Sequence, residues 1–235
     1  MTALFAPLTA AEWMIIQLSL KVALVATLAS LPFGVAVAYV LSRKRFPGLW
    51  LIDALVHLPL VLPPVVTGYV LLVLFGRKGM IGQSLESCCG LVFAFRWSGA
   101  ALAAAVMAFP LLVRAIRLSF DAIDTRLEEA SATLGASPFW RFMTVTLPLA
   151  WPGILGGLII GFAKALGEFG ATITFVASIP GETETLPLAI YAQTQVPGGE
   201  AVALRLTLIA VVIAFAAIAA SQLLRDYTKR GHSLP

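Results

Sequence analysis

The ionisable residues of this chain that could act together are few and far apart. Lys164 and Glu168 stand four residues apart, a spacing that brings them together on one face of a helix. They are the only ionisable residues of the apolar run that holds them, and a charge at membrane depth is costly unless paired or hydrated. The pair therefore reads as a self-neutralising packing element or as a group facing a passage. Counting about 1.5 Å per residue from Pro148 places it in the outer part of that run, near water. His57 has no surrounding cluster and reads as a packing or hydrogen-bonding residue with no chemical role. Cys88 and Cys89 are adjacent, which would strain a mutual disulfide and supplies no metal-ligand spacing. An intramembrane enzyme would need a nucleophile with a base, or a His/Asp metal constellation, on facing helices, and neither pattern appears. No GxxxxGK[ST] phosphate loop is present, so any ATP used with this chain must be hydrolysed by another.

The elements that position these residues must lie in lipid. Of the 235 residues, 60% are hydrophobic and 12% charged, and the mean hydropathy is +0.94. A soluble domain carries roughly a quarter charged residues. About 20 apolar residues cross the hydrocarbon core as a helix, and five such runs are predicted over 13–41, 50–75, 91–113, 148–169 and 201–224. Open sheet edges are excluded by the bilayer, so the fold class is all-α.

Lys and Arg mark the cytoplasmic connections. Arg43, Lys44 and Arg45 follow the first run; Arg114, Arg117, Arg126 and Arg141 fall in the long connection; Arg225, Lys229 and Arg230 fall in the tail. The opposite connections hold Arg77 and Lys78 in one, and no Lys or Arg in 170–200. This predicts an outer N-terminus and a cytoplasmic C-terminus. The first run is too long for a cleavable signal and lacks a basic leader before it, so it reads as an anchor; Thr9 and Glu12 fit a capping box at its start. The net charge of +4 follows this topology and marks no nucleic-acid surface.

The stretch 114–147 is too polar to span and too long for a plain connector. Thr125 followed by Glu128 predicts a second capping box, Glu128 and Glu129 suit the positive end of a helix dipole, and Gly135 can take the left-handed conformation that ends a helix. A short helix is thus predicted over 126–134. Ser137 then caps and Pro138 opens a second helix, with Phe139, Trp140 and Phe142 packing on the bundle or at the interface. By residue chemistry alone this hairpin is a solvated loop, a surface helix or a docking helix.

In the second run, Pro59, Pro63, Pro64 and Gly68 free backbone carbonyls and permit kinks, which suits either a passage-lining or a kinked structural helix. Thr67 and the backbone at Gly68 are candidates for a polar, uncharged passage. In the fourth run Gly153, Gly157 and Gly161 repeat at the four-residue spacing of close helix packing, with a partner left open between this chain and another copy. The segment 170–200 is expected to form short outer helices or to re-enter the membrane without a sixth crossing.

Glu129-Ala130-Ser131, three residues, Gly135, nine residues, and Val145-Thr146-Leu147-Pro148 resemble the EAA loop of bacterial ABC-importer permeases. Ser131 stands where that family usually has a second Ala, and Val145 where it usually has Ile. The resemblance implies a type I importer permease (MetI-like), one transmembrane domain over 1–235, whose loop at 114–147 docks on a soluble ATPase. Glu128, Glu129, Ala130, Ser131, Gly135, Leu147 and Pro148 are the coupling residues it implies. A narrower likeness runs through His57-Leu-Pro-Leu-Val-Leu-Pro-Pro-Val-Val-Thr-Gly68, Phe109-Pro-Leu-Leu-Val-Arg-Ala-Ile-Arg117 and Phe162-Ala-Lys-Ala-Leu-Gly-Glu-Phe-Gly-Ala-Thr-Ile-Thr174, continued by Ile179-Pro-Gly-Glu182. It is similar to the molybdate permeases, with tungstate and sulfate permeases sharing the Leu-Gly-Glu-Phe-Gly-Ala part. The partners this implies are a second copy of the chain, two ABC ATPase subunits that use the ATP, an external molybdate-binding protein on the acidic outer surface of Glu182, Glu184 and Glu200, and the lipid of a bacterial inner membrane. No cofactor or metal is expected in the chain itself. A non-transporting membrane scaffold is the rival of a different class.

Overall fold

The computed structural model describes the backbone of residues 7–230, and side chains over 7–217 and at 219. The side chains of Arg225, Lys229 and Arg230, used above for orientation, lie outside the described residues. The elements are α1 Ala10–Arg43, α2 Leu49–Val61, α3 Pro64–Phe75, α4 Met80–Cys89, α5 Trp97–Asp121, α6 Thr125–Thr133, α7 Pro138–Arg141, a π turn Phe142–Thr146, α8 Leu147–Leu166, α9 Gly170–Val176, α10 Leu186–Thr194 and α11 Glu200–Arg230. No strand occurs among the described residues.

Among the described residues, four helical stretches are long and apolar enough to cross a bilayer: Ala10–Arg43, Trp97–Asp121, Pro138–Leu166 and Glu200–Ala217. The fifth candidate is α2 with α3, and here the expectation of one kinked helix is corrected. The two meet at 113°. Leu62 and Pro63 are extended between them, because Pro63 and Pro64 together disfavour helix in the residue before each and remove two donors.

The third span is also shifted. Phe95 takes a left-handed φ of 59° and Arg96 is extended, so the apolar residues 91–95 stay outside the helix, which runs on to Asp121. Arg114 and Arg117 therefore ride on α5 rather than in the loop. Their extension is supported by charge: Arg117 Nη1 lies 3.2 Å from Asp53 Oδ1 of α2, and Arg117 Nε lies 3.8 Å from Asp121 Oδ2 one turn on.

The bundle is built on α5, which packs against α1 and α8 and more lightly against α2, α3 and α9. Ala100, Ala101, Ala103, Ala104 and Ala108 are buried along it, and such small side chains let neighbouring backbones approach. The glycine stripe of α8 completes the fit, and its partner is α5 of the same chain. A Cβ at Gly157 would lie 3.0 Å from Ile116 Cγ1, one at Gly161 3.2 Å from Leu112 Cδ1, and one at Gly153 would collide with Ser119. Polar groups inside α1 are satisfied locally: Ser19, Thr27 and Ser30 each donate to the carbonyl four residues back at 2.7 Å.

At the other end, the Thr9 capping box forms, with Glu12 N donating to Thr9 Oγ1 at 3.3 Å and Thr9 N donating to Glu12 Oε2 at 2.8 Å. Arg205 Nε of α11 donates to the same buried carboxylate at 2.7 Å, tying the first and last helices. The segment after α8 forms the two short helices α9 and α10. Leu186 N, at the start of α10, donates to Ser19 Oγ at 2.7 Å and holds α10 on α1. His57 Nδ1 lies 2.8 Å from its own helix carbonyl at Asp53, and Cys88 and Cys89 are free and exposed.

Because Gly157 sits in contact range of α5 with no spare room, Gly157→Leu is expected to destabilise the bundle by about 1–3 kcal/mol, the usual cost of overpacking. A thermal melt of the protein in detergent checks this against Gly156→Leu, a position with nothing within 4 Å of an added Cβ.

Candidate coupling element and helix junction

The polar hairpin begins one turn after α5. Its first helix covers Thr125–Thr133, within a residue of the expected bounds, but the cap is one residue earlier than expected. Asp124 caps it, its side chain accepting from Arg126 N at 2.9 Å. Thr125 is the first helical residue, so the expected Thr125–Glu128 capping box does not form and Glu128 is released for another use. Its Oε1 accepts from Arg43 Nε of α1 at 3.1 Å and from Thr146 Oγ1, at the root of α8, also at 3.1 Å. Arg43 Nη2 adds a bond to the Ile123 carbonyl at 3.2 Å. One half-buried carboxylate thus joins α6 to the ends of two membrane-crossing helices.

Its neighbour does the opposite. Glu129 is exposed, as are Ala130, Ala132, Thr133 and Gly135, while Ser131 is half-buried with its hydroxyl on the Glu128 carbonyl at 2.9 Å. Gly135 has φ 86°, the conformation that L side chains resist. It turns the chain so that Ala136 N donates to Ser131 O at 3.1 Å, closing the helix. Leu134 is 87% exposed, and Leu127, Phe139 and Trp140 of the same hairpin are exposed as well. Of the three aromatics expected on the bundle or at the interface, Phe142 packs on the bundle, with its ring 4.9 Å from Tyr39, whereas Phe139 and Trp140 are exposed.

Ser137 caps α7 through Trp140 N and Pro138 opens it, as expected. From there the chain runs without a break into α8, so that Pro138–Leu166 is one stretch. The π turn Phe142–Thr146 falls just before Pro148, whose ring would crowd the carbonyl four residues back and whose nitrogen has no proton to give it; a widened turn relieves both. Leu147 packs with the core of Phe120, Ile116 and Ala150, while Pro148 is exposed.

At the far end of α8, Lys164 Nζ and Glu168 Oε2 form an ion pair at 2.6 Å. The Glu168 side chain is only 2% exposed, deeper than expected for a group near water. Its other oxygen accepts from Ala171 N at 3.0 Å, at the start of α9. The junction then packs on the bend of α2 and α3: a Cβ at Gly170 would lie 2.6 Å from Pro64 Cβ, and one at Gly68 would lie 2.5 Å from Ala171 O. Thr67 and Gly68 are therefore buried between α3 and α9, and the Thr67 hydroxyl has no hydrogen-bond partner among the described residues. The open face of α3 carries Val65, Val66, Tyr69, Val70 and Val73.

Residues 30–229 match the family described as the binding-protein-dependent transport system inner membrane component. The chain belongs to that family. Among relatives of this inner membrane component, the molybdenum transport system permease protein ModB of Escherichia coli strain K12 is 55% identical over 215 residues, 92% of this chain and 94% of that protein. Its namesake in Haemophilus influenzae strain Rd is 55% identical over 207 residues, 88% of this chain and 90% of that protein. A sulfate transport system permease, CysW of Synechococcus elongatus, is 38% identical over 175 residues, 74% of this chain and 61% of that protein. The fold is shared with a bacterial alginate ABC transporter solved with its pentasaccharide-bound periplasmic protein, at a TM-score of 0.73 and 16% identity over 94% of this chain and 81% of that one.

The residue that sequence reasoning misplaced in this inner membrane component is Glu128, whose partners lie 85 and 18 positions away; the signal available was Arg43 closing an apolar run. Glu128→Ala removes two hydrogen bonds to a charged group and is expected to cost about 1.5–3 kcal/mol. Glu129→Ala, on the outer face, is expected to leave the melting temperature within 1 °C or so, since exposed substitutions rarely exceed about 0.5 kcal/mol. Parallel melts of the two variants check the division.

Proposed function

We propose that this chain is the membrane-spanning permease subunit of an ATP-driven molybdate importer in a bacterial inner membrane, working as a pair with two ATPase subunits and an external molybdate-binding protein. The observation that carries the reading is the 55% identity, over 92% of the chain, to a protein named for molybdenum transport, against 38% to a sulfate permease. The chain itself is not an enzyme: ATP is hydrolysed by the partner. The basic residues that the positive-inside rule assigns to the cytoplasm gather at one end of the bundle, since Arg43 meets Glu128 and Arg117 meets Asp121. This supports an outer N-terminus with α6 on the cytoplasmic side.

Closure of an ATPase moves α6 through its exposed face, where Glu129 offers a carboxylate and Ala130, Ala132 and Gly135 permit close approach. Glu128 passes that displacement to α1 through Arg43 and to α8 through Thr146. The continuous stretch Pro138–Leu166 carries it across the membrane to the Lys164–Glu168 pair. There α9 bears directly on Pro64 and Gly68, so a shift of α8 repositions the 113° bend of α2 and α3. In this mechanism Pro63, Pro64, Thr67 and Gly68 shape the gate by packing, and the exposed face of α3 faces the passage shared with a second copy. An uncharged lining suits a dianion that must leave as readily as it enters. Tungstate and sulfate share the tetrahedral shape and charge, and the external binding protein does most of the discrimination. The outer surface that receives it includes Glu182 and Glu184; partial burial holds the Glu184 carboxyl above the ordinary carboxylate range.

ATP-dependent uptake of molybdate into vesicles holding the assembled complex tests this. Uptake is expected to resist excess sulfate, and Gly135→Val, which forces a β-branched residue into φ 86°, is expected to lower it about tenfold or more with the protein still inserted. Uptake abolished by sulfate assigns a broader oxyanion permease; no flux in an assembled complex assigns a scaffold.

A further inference from the structure

The helix α9 has seven residues, too few to be stable alone, and each of its ends is fixed by one buried side chain. At its start the Glu168 carboxylate, carried by the end of α8, accepts from Ala171 N at 3.0 Å. At its finish Thr183, fully buried, closes the segment that follows. The Thr183 hydroxyl donates to Ala177 O at 2.9 Å and accepts from Ile179 N at 2.9 Å. The Ile179 carbonyl accepts from the amides of Glu182, Thr183 and Glu184 at 2.9–3.2 Å, so 177–184 forms a closed turn. That turn leads into α10, whose first amide is bonded to Ser19 of α1. One end of α9 is thus tied to α8, and the other to α1.

Between helix and turn sits Ala177, with φ 56° and ψ −173°. This lies outside the left-handed helical well, centred at about φ 57°, ψ 47°, and at the edge of a region populated essentially by glycine alone. Among the described residues the chain places glycine at five other positions of positive φ, so the alanine here carries a cost that the chain avoids elsewhere. Such a conformation persists only where its surroundings over-determine it. On one side those surroundings are the Thr183 bonds. On the other, Val176 is packed on the start of α5, where a Cβ added at Gly99 would lie 2.8 Å from Val176 Cγ1.

We propose that Ala177 is the hinge about which α9 tilts in the transport cycle, and that Thr183 is the latch that holds this hinge strained in the conformation described here. Both are positioning residues. The inference rests on the coupling path proposed above, in which α9 bears on Pro64 and Gly68. Motion of α8 displaces the Glu168 end of α9 while the Thr183 end stays with α1, so the change in backbone angle falls at their junction. Hinges are a few residues at element ends that absorb such changes. Strain at Ala177 raises the free energy of this conformation and so favours departure from it. Glycine at 177 removes the strain from this conformation alone and shifts the population toward it.

Hydrogen exchange of the assembled complex, read by mass spectrometry on peptides covering 170–179 with and without vanadate-trapped nucleotide, tests this together with ATPase turnover and thermal melts. The unmodified complex is expected to exchange differently at 170–179 in the two states. Ala177→Gly is expected to melt higher, to shrink that difference, and to lower ATPase turnover about fivefold, the low end of what such strain is worth, with KM for ATP unchanged. Thr183→Val keeps the shape and loses the hydroxyl, and is expected to speed exchange at 177–179 in both states; Thr183→Ser is expected to behave as the unmodified chain. A glycine variant that melts higher at unchanged turnover makes Ala177 a structural outlier only and overturns the proposal. So does one that melts no higher, or an unmodified complex that hydrolyses ATP with identical exchange in the two states. None of these readouts uses molybdate: a complex with the expected exchange and turnover that carries no molybdate contradicts the transport assignment and supports the hinge.

Discussion

Three segments far apart in the chain converge on the Glu128 carboxylate: the end of α1 through Arg43, the root of α8 through Thr146, and α6 itself. A carboxylate that accepts two donors at 3.1 Å in a half-buried setting fixes their relative positions far better than an exposed pair does. Without it α6 is a nine-residue helix with no buried residue of its own, too short to be stable alone. With it, the face bearing Glu129, Ala130 and Gly135 is presented to solvent on a rigid mount. The two adjacent glutamates thus divide the work, one holding the helix and the other reaching outward.

In the proposed coupling, the remainder of the structure is what that mount would move. Close packing of α8 on α5 through Gly153, Gly157 and Gly161 excludes independent sliding of the two helices, and the uninterrupted stretch from Pro138 to Leu166 makes α8 a lever rather than a loop-tethered span. At its far end, Glu168 is buried with its ion pair and its bond to Ala171. Gly170 and Gly68 then bring α9 onto α3 with no intervening side chain. Two of the three stretches that resemble the oxyanion permeases, 57–68 and 162–174, hold the two surfaces of this contact. That is a physical reason for their glycines: an added Cβ at Gly170 would meet Pro64, and one at Gly68 would meet Ala171.

Much of this was legible in the sequence because it depends on local chemistry or on the bilayer. Apolar length marked four crossings and a fifth candidate that is the broken pair α2 and α3, the Thr9 capping box formed as read, and Gly135, Ser137 and Pro138 punctuate the hairpin where their backbone preferences place them. What failed was non-local. Periodicity carries no information about Arg43 meeting Glu128, or Arg205 meeting Glu12, across most of the chain. The cap moved to Asp124 because two adjacent residues, Asp124 and Thr125, both suit that position and packing chose between them. The prolines at 63 and 64 marked a disruption, but its 113° angle is set by where α9 supports α3. Likewise Arg114 and Arg117, which read as loop residues, are helical because Asp53 and Asp121 neutralise one of them at the end of α5.

The central claim is that Glu128 and Arg43 act as one unit in delivering ATP-driven motion to the spans. A double-mutant cycle of Glu128→Gln and Arg43→Gln, read as molybdate transported per ATP hydrolysed by the assembled complex, tests it directly. The account requires each single variant to lower that ratio and the double variant to be no worse than either. Additive losses, or a ratio unchanged in the single variants, would contradict it.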